Sequence, residues 1–152
     1  MRRCSDKENL CSLNIKLKEM EQTDPIKEAQ RYVANAKEII AKAQYDRETK
    51  SYMDGKYVKT AGDVLWKGCL IALDAVLDVR QGKGRPSIEK YQQAAGKRDR
   101  ALLKMINLGY ATMHLSMGYD GNKQKKVCDA GFEAAKDIIN RCATLCPEPV
   151  CA

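Results

Sequence analysis

The spacing of apolar residues constrains this chain more than any other feature. Between residues 26 and 43, apolar side chains recur at alternating intervals of three and four, which places them on one side of a helix. The same rhythm returns over residues 58–79, 88–116 and 127–145. No segment shows the strict alternation of a half-buried strand, so we predict no strand. Amphipathic helices bury their apolar sides only against one another, which predicts an all-α, antiparallel up-and-down bundle of four to five helices.

The ends of these helices carry their own signals. Asp24 followed by Pro25 is typical of a first turn, which we expect to begin a helix reaching about residue 46. Glycines and a proline within residues 82–86 predict the end of the second helix. Ser87 is the predicted cap of the third, which Gly96 either interrupts or leaves whole.

The chain has 152 residues, which fits one ordinary domain. Residues 1–23 have no sustained pattern and are interpreted as a flexible extension or a loosely held helix. We place the helical bundle at residues 24–146 and a short tail at residues 147–152. The sequence contains neither a membrane-length apolar run nor a secretory signal, so we expect a cytoplasmic protein that does not bind membranes.

Positive charge is concentrated in one part of the chain. Residues 83–126 contain ten lysines and arginines against three acidic residues, in a chain whose net charge is +7. If the third helix is continuous, Lys90, Lys97, Arg100 and Lys104 form a stripe able to neutralise phosphates of a nucleic acid. Because no aromatic residues alternate with them for base stacking, an ordinary solvated helix face is the simpler interpretation.

Tyr110 and His114 form the candidate polar pair. They lie four residues apart, so their side chains can touch on one helix face and could relay a proton. A single histidine between apolar neighbours is more often a packed, hydrogen-bonded residue, and we favour that role. We therefore predict no catalytic residues.

Metal and cofactor sites have no support in the sequence. The chain has one histidine and lacks the Glu-x-x-His repeats of di-metal bundles and the glycine fingerprints of phosphate-binding loops. Its seven cysteines are an odd number without zinc-knuckle spacing, which indicates reduced thiols. We expect Cys69 and Cys142 to be small core residues, and no metal or cofactor to be bound.

Three segments carry a resemblance to a known family: residues 61–68 (AGDVLWKG), residues 71–77 (IALDAVL) and residues 110–121, which contain YATMHL and GYDG. Together they resemble a small bacterial family of unknown function, over about residues 24–141. That family is similar in fold to HEPN-like helical bundles, a group that includes nucleotide-binding modules and ribonucleases and is often dimeric. The ribonucleases pair an arginine with a nearby histidine. Here the positions before His114 that would hold the arginine are Gly109, Leu108 and Asn107, so the resemblance implies a fold and no ribonuclease activity.

These features predict a protein that works by binding and is not an enzyme. We expect it to form a homodimer through an apolar helical face, or to bind another protein whose identity the sequence does not reveal. The alternative is a HEPN-like nucleotide- or RNA-interacting module that lacks the ribonuclease pair.

Overall fold

The computed structural model describes residues 24–79 and 82–147. The predicted extension at residues 1–23 lies outside the described residues, as does all of the predicted tail except Pro147. Within the described residues the chain is an all-α bundle, as predicted. Its elements are α1 (Pro25–Ala41), β1 (Tyr45–Asp46), β2 (Ser51–Tyr52), α2 (Gly55–Val76), α3 (Ile88–Arg98), α4 (Arg100–Gly109), a π-helix (Tyr110–Tyr119) that continues α4, and α5 (Lys125–Leu145).

Four long helical units in the described ranges alternate in direction: α1, α2, α4 together with the π-helix, and α5. Gly68, in the second half of α2, packs on the first half of α1, so these two helices are antiparallel. Gly62, in the first half of α2, meets Met117 near the end of the π-helix. Asp99, at the start of α4, binds Arg141 near the end of α5. The unit formed by α4 and the π-helix therefore runs opposite to both α2 and α5, as an up-and-down bundle requires.

Two predicted helix starts have different outcomes. The carboxylate of Asp24 accepts a hydrogen bond from the Ile26 amide at 2.9 Å, and Pro25 occupies the first turn, as predicted. Ser87 precedes α3, but its side chain makes no capping hydrogen bond. Hydrogen bonds from the Glu89 backbone amide and from the Ser87 hydroxyl instead lower the pKa of the Glu89 carboxylate.

The prediction that the chain has no strand was wrong for the α1–α2 connection. α1 ends at Ala41, before the predicted residue 46, and the chain then forms an antiparallel pair in which Tyr45 lies opposite Tyr52. Each strand has two residues. Two residues are too few to show a period, so residue patterning gave no signal for this hairpin.

The third predicted helix divides at Asp99 and not at Gly96. Asp99 ends α3 and caps α4, its carboxylate accepting from the Ala101 and Leu102 amides. The side-chain amide of Gln92 on α3 donates to the Asn107 side chain on α4 at 2.8 Å, which shows that the two helices lie side by side. The predicted loop at residues 118–122 is also shorter than expected, since the π-helix continues to Tyr119.

The core is centred on α2, which packs against α1, α5 and the π-helix. Small residues permit these close approaches: a Cβ at Gly62 would lie 2.7 Å from the Met113 carbonyl oxygen. Cys69 and Cys142 are fully buried, which confirms their prediction as core residues. Cys128 is buried as well, although its surroundings in the sequence gave no such indication.

Candidate functional site

The π-helix is the most unusual element of the fold. Hydrogen bonds between residues five apart are rare in proteins and are frequent at functional sites. Here the Asp120 amide donates to the Leu115 carbonyl at 2.9 Å. Gly109, Met113 and Met117 are all buried, so burial recurs at every fourth residue. This interval suits a turn that is wider than an α-turn.

Where α4 meets the π-helix, a nearby side chain hydrogen-bonds the backbone carbonyls. The Thr112 hydroxyl donates to the Leu108 carbonyl at 2.8 Å and also approaches the Gly109 carbonyl. A side-chain donor of this kind satisfies carbonyls whose regular helical partners shift when the turn widens. The π-helix is therefore a supported part of the fold, held by this bond and by the close contact with α2.

Three rings meet on one side of the π-helix. Tyr110 and His114 stack with their ring centroids 5.0 Å apart, so the contact that their spacing predicts is present. Trp66 on α2 meets Tyr110 edge to face at 5.6 Å and lies 6.2 Å from His114. Such pairings are favourable beyond the area they bury. The proposed proton relay by Tyr110 and His114 stays a prediction.

These rings form part of a surface cleft, which we call the aromatic cleft. Its volume is about 190 Å³, and it is lined by Trp66, Leu70, Arg85, Pro86, Ile88, Tyr91, Tyr110 and His114. The walls come from α2, α3, the π-helix and the loop that precedes α3. An apolar lining with a few convergent polar groups is the usual composition of a small-molecule site.

Tyr91 and Arg85 add polar groups to the aromatic cleft beside those of Tyr110 and His114. Tyr91 is 1% exposed, and its hydroxyl donates to the Asp74 carboxylate at 2.5 Å, which fixes the ring. Arg85 is exposed, and among the residues that the structure describes no acidic side chain forms an ion pair with it. The cleft therefore combines rigid aromatic walls with a guanidinium group.

The predicted basic stripe does not form on one helix. Lys90 and Lys97 lie on α3, while Arg100 and Lys104 lie on α4, and all four are exposed. The stripe required a continuous helix, and the chain instead reverses direction at Asp99. Whether these four side chains bind a ligand stays a prediction.

Sequence reasoning found two residues of the aromatic cleft and missed the rest. Trp66, Arg85 and Tyr91 come from three separate elements, so no local spacing joins them to Tyr110 and His114. The available signal was the aromatic side chains on the inward sides of the second and third predicted helices. No group of three or more metal-ligating side chains occurs in the described part of the chain.

Fold and site together define the class: a small all-α bundle with a π-helix beside an aromatic cleft. The chain belongs to the family of the domain of unknown function DUF5618, whose model matches residues 24–144. It is similar to a solved protein of unknown function from Dyadobacter fermentans, with 34% sequence identity and a TM-score of 0.73. That similarity covers 79% of this chain and 94% of the other. No curated protein matches the sequence.

One structural observation bears on the prediction that the protein does not bind membranes. None of the helices in the described ranges has both the length and the apolar character that crossing a bilayer requires.

Proposed function

We propose that this chain is a non-enzymatic binding protein that forms a homodimer through an outer face of the α4–π-helix unit. We define this outer face by Leu108, Ala111, Leu115 and Tyr119. The single observation that carries the proposal is the exposure of its large apolar side chains: Leu108 is 57% exposed, Leu115 40% and Tyr119 78%. Exposed apolar side chains gathered on one element mark interaction surfaces.

The composition of this helix supports the same proposal. Residues 105–119 contain no aspartate, glutamate, lysine or arginine, although 31% of the whole chain is charged. A helix that faces water normally carries charged side chains on its outer side. Their absence here favours a partner surface that is also uncharged.

A second copy of the chain meets that requirement. Two-fold dimers are the commonest oligomers, and their interface uses the same surface on both copies. A two-fold axis that passes near Met113, halfway between residues 111 and 115, would set Leu115 of one copy against the small Ala111 of the other. The outer face therefore complements itself in both size and charge.

Sedimentation velocity at micromolar protein concentration tests this proposal. We expect the wild-type chain to sediment as a dimer and the Leu115→Lys/Tyr119→Lys variant as a monomer, since lysine would bury a charge in the interface. Met53→Lys is the matched control, because Met53 is 64% exposed near the β-hairpin, outside the outer face. A monomeric wild type, or a double variant that remains dimeric, would contradict the proposal.

The alternative, an RNA- or nucleotide-interacting module, ranks second. Lysines do cluster where α2 and α5 begin: Lys56, Lys59 and Lys123 line one depression, and Lys50, Lys125 and Lys126 line another. Each depression also contains an aspartate, however, and Lys125 is paired with Asp129 at 2.5 Å. Paired lysines attract phosphate less strongly than free ones, so the outer face is the better-supported surface.

A further inference from the structure

The aromatic cleft has the dimensions and the lining of a site for one aromatic ring. A cavity of about 150 Å³ with an apolar lining is enough to bind benzene. The cleft, at about 190 Å³ and open at the surface, has room for a benzene ring with small substituents. Trp66 and Tyr110 are held edge to face, so an entering ring would meet preformed aromatic surfaces.

The polar groups of the cleft specify the substituent. The Tyr91 hydroxyl is engaged with Asp74, and Arg85 is the residue of the cleft lining that carries a formal charge. A planar guanidinium presents paired N–H donors that match the two oxygens of a carboxylate. Arg85 has no acidic partner among the described residues, so binding would break no ion pair described there.

We propose that the aromatic cleft binds a small aromatic carboxylate, with its ring against Trp66, Tyr110 and His114 and its carboxylate on Arg85. The site is separate from the outer face, so this proposal does not depend on the proposed dimer. In this proposal Tyr110 and His114 contact the ligand ring, a role that requires no proton transfer between them.

The single tryptophan of the chain, Trp66, lies in the cleft wall and supplies the readout. We would titrate the full chain with 4-nitrobenzoate, whose nitroaromatic ring quenches indole fluorescence on contact, and correct for its absorption. Isothermal titration calorimetry of the same mixture gives an independent affinity. Nitrobenzene is the uncharged probe of similar shape.

We expect saturable quenching by 4-nitrobenzoate, and Arg85→Gln should weaken its affinity about tenfold or more, because a charge-assisted hydrogen bond is lost. Lys83→Gln is the matched control, since it removes one positive charge from the same loop at a residue outside the cleft lining. Its affinity should equal that of the wild type. Nitrobenzene should bind both variants equally, because it lacks the carboxylate.

Two results would overturn the proposal. One is the absence of saturable binding up to millimolar 4-nitrobenzoate. The other is an equal affinity of Arg85→Gln and Lys83→Gln for 4-nitrobenzoate, which would show that Arg85 makes no carboxylate contact beyond general electrostatic attraction. Both variants replace exposed side chains, and circular dichroism would verify that they remain folded.

Discussion

Asp99 shows how one residue can join three elements of the bundle. It ends α3, its carboxylate caps α4, and the same carboxylate binds the Arg141 guanidinium of α5 at 2.5 Å. Burial raises the pKa of Asp99, but hydrogen bonds from the Leu102 amide and from Arg141 outweigh it and leave the pKa below its ordinary value. The folded protein therefore favours the charged carboxylate.

The substitution Asp99→Asn removes the negative charge of residue 99 but keeps a side chain that can cap α4. Asparagine caps helices as well as aspartate does, so the start of α4 should survive while the attraction to Arg141 is lost. Because the folded pKa is lowered, the contribution of Asp99 is complete above the ordinary aspartate pKa of about 3.9 and is lost as the pH falls through the lower folded value. Urea unfolding should show that Asp99→Asn has a lower free energy of unfolding than the wild type at pH 7. This difference between the two proteins should become smaller as the solution is made acidic.

The partner residue supplies the control for this prediction. Arg141→Gln should show the same pH dependence, and adding Asp99→Asn to it should cost little more, since the two variants remove one interaction. A stability difference between Asp99→Asn and wild type that is constant from pH 7 into acid would contradict the predicted role of the charge.

At the scale of elements, the contact between α2 and the π-helix depends on Gly62. A Cβ at this position would lie 2.6 Å from the Met117 Cβ and 2.7 Å from the Gly118 backbone nitrogen. These atoms belong to the backbone or adjoin it, so they cannot move aside as the end of a flexible side chain can. The close approach of the two helices is therefore possible only with glycine.

Gly62→Ala should destabilise the fold by roughly 1–3 kcal/mol, the usual cost of overpacking a core. Gly96→Ala is the control within a helix: its Cβ would lie 3.4 Å from a Leu103 methyl group, an ordinary contact. Alanine is also the better helix former, so this variant should gain up to about 1 kcal/mol. Urea unfolding measures both, and a neutral Gly62→Ala would show that the π-helix shifts freely.

The elements also show what residue patterns can and cannot predict. α1, α2 and α5 follow from their apolar periodicity, because each buries one continuous stripe. The π-helix escaped prediction, since its buried glycine and methionines also fit an α-helical pattern. The aromatic cleft escaped because Trp66 and Arg85 come together only through tertiary packing.

At the scale of the whole molecule, buried thiols report on the cooperativity of the bundle. Cys69 lies on α2, while Cys128 and Cys142 lie near opposite ends of α5, and all three are fully buried. Burial raises the pKa of the Cys128 thiol to about 11 and that of Cys142 to about 12, and it raises the pKa of Cys69 further. The thiolate is the reactive form, so these groups are protected by burial and by protonation.

Iodoacetamide labelling at pH 8, followed by peptide mass spectrometry, should therefore leave these three cysteines unmodified in the native protein. Cys146 is half-buried just beyond α5 and should react before these three, which makes it the internal control. As urea increases, labelling of Cys69, Cys128 and Cys142 should rise together, because a domain of this size usually unfolds as one unit. If Cys128 and Cys142 become labelled at a lower urea concentration than Cys69, α5 separates from the bundle before the core around α2 unfolds, which would contradict unfolding as one unit.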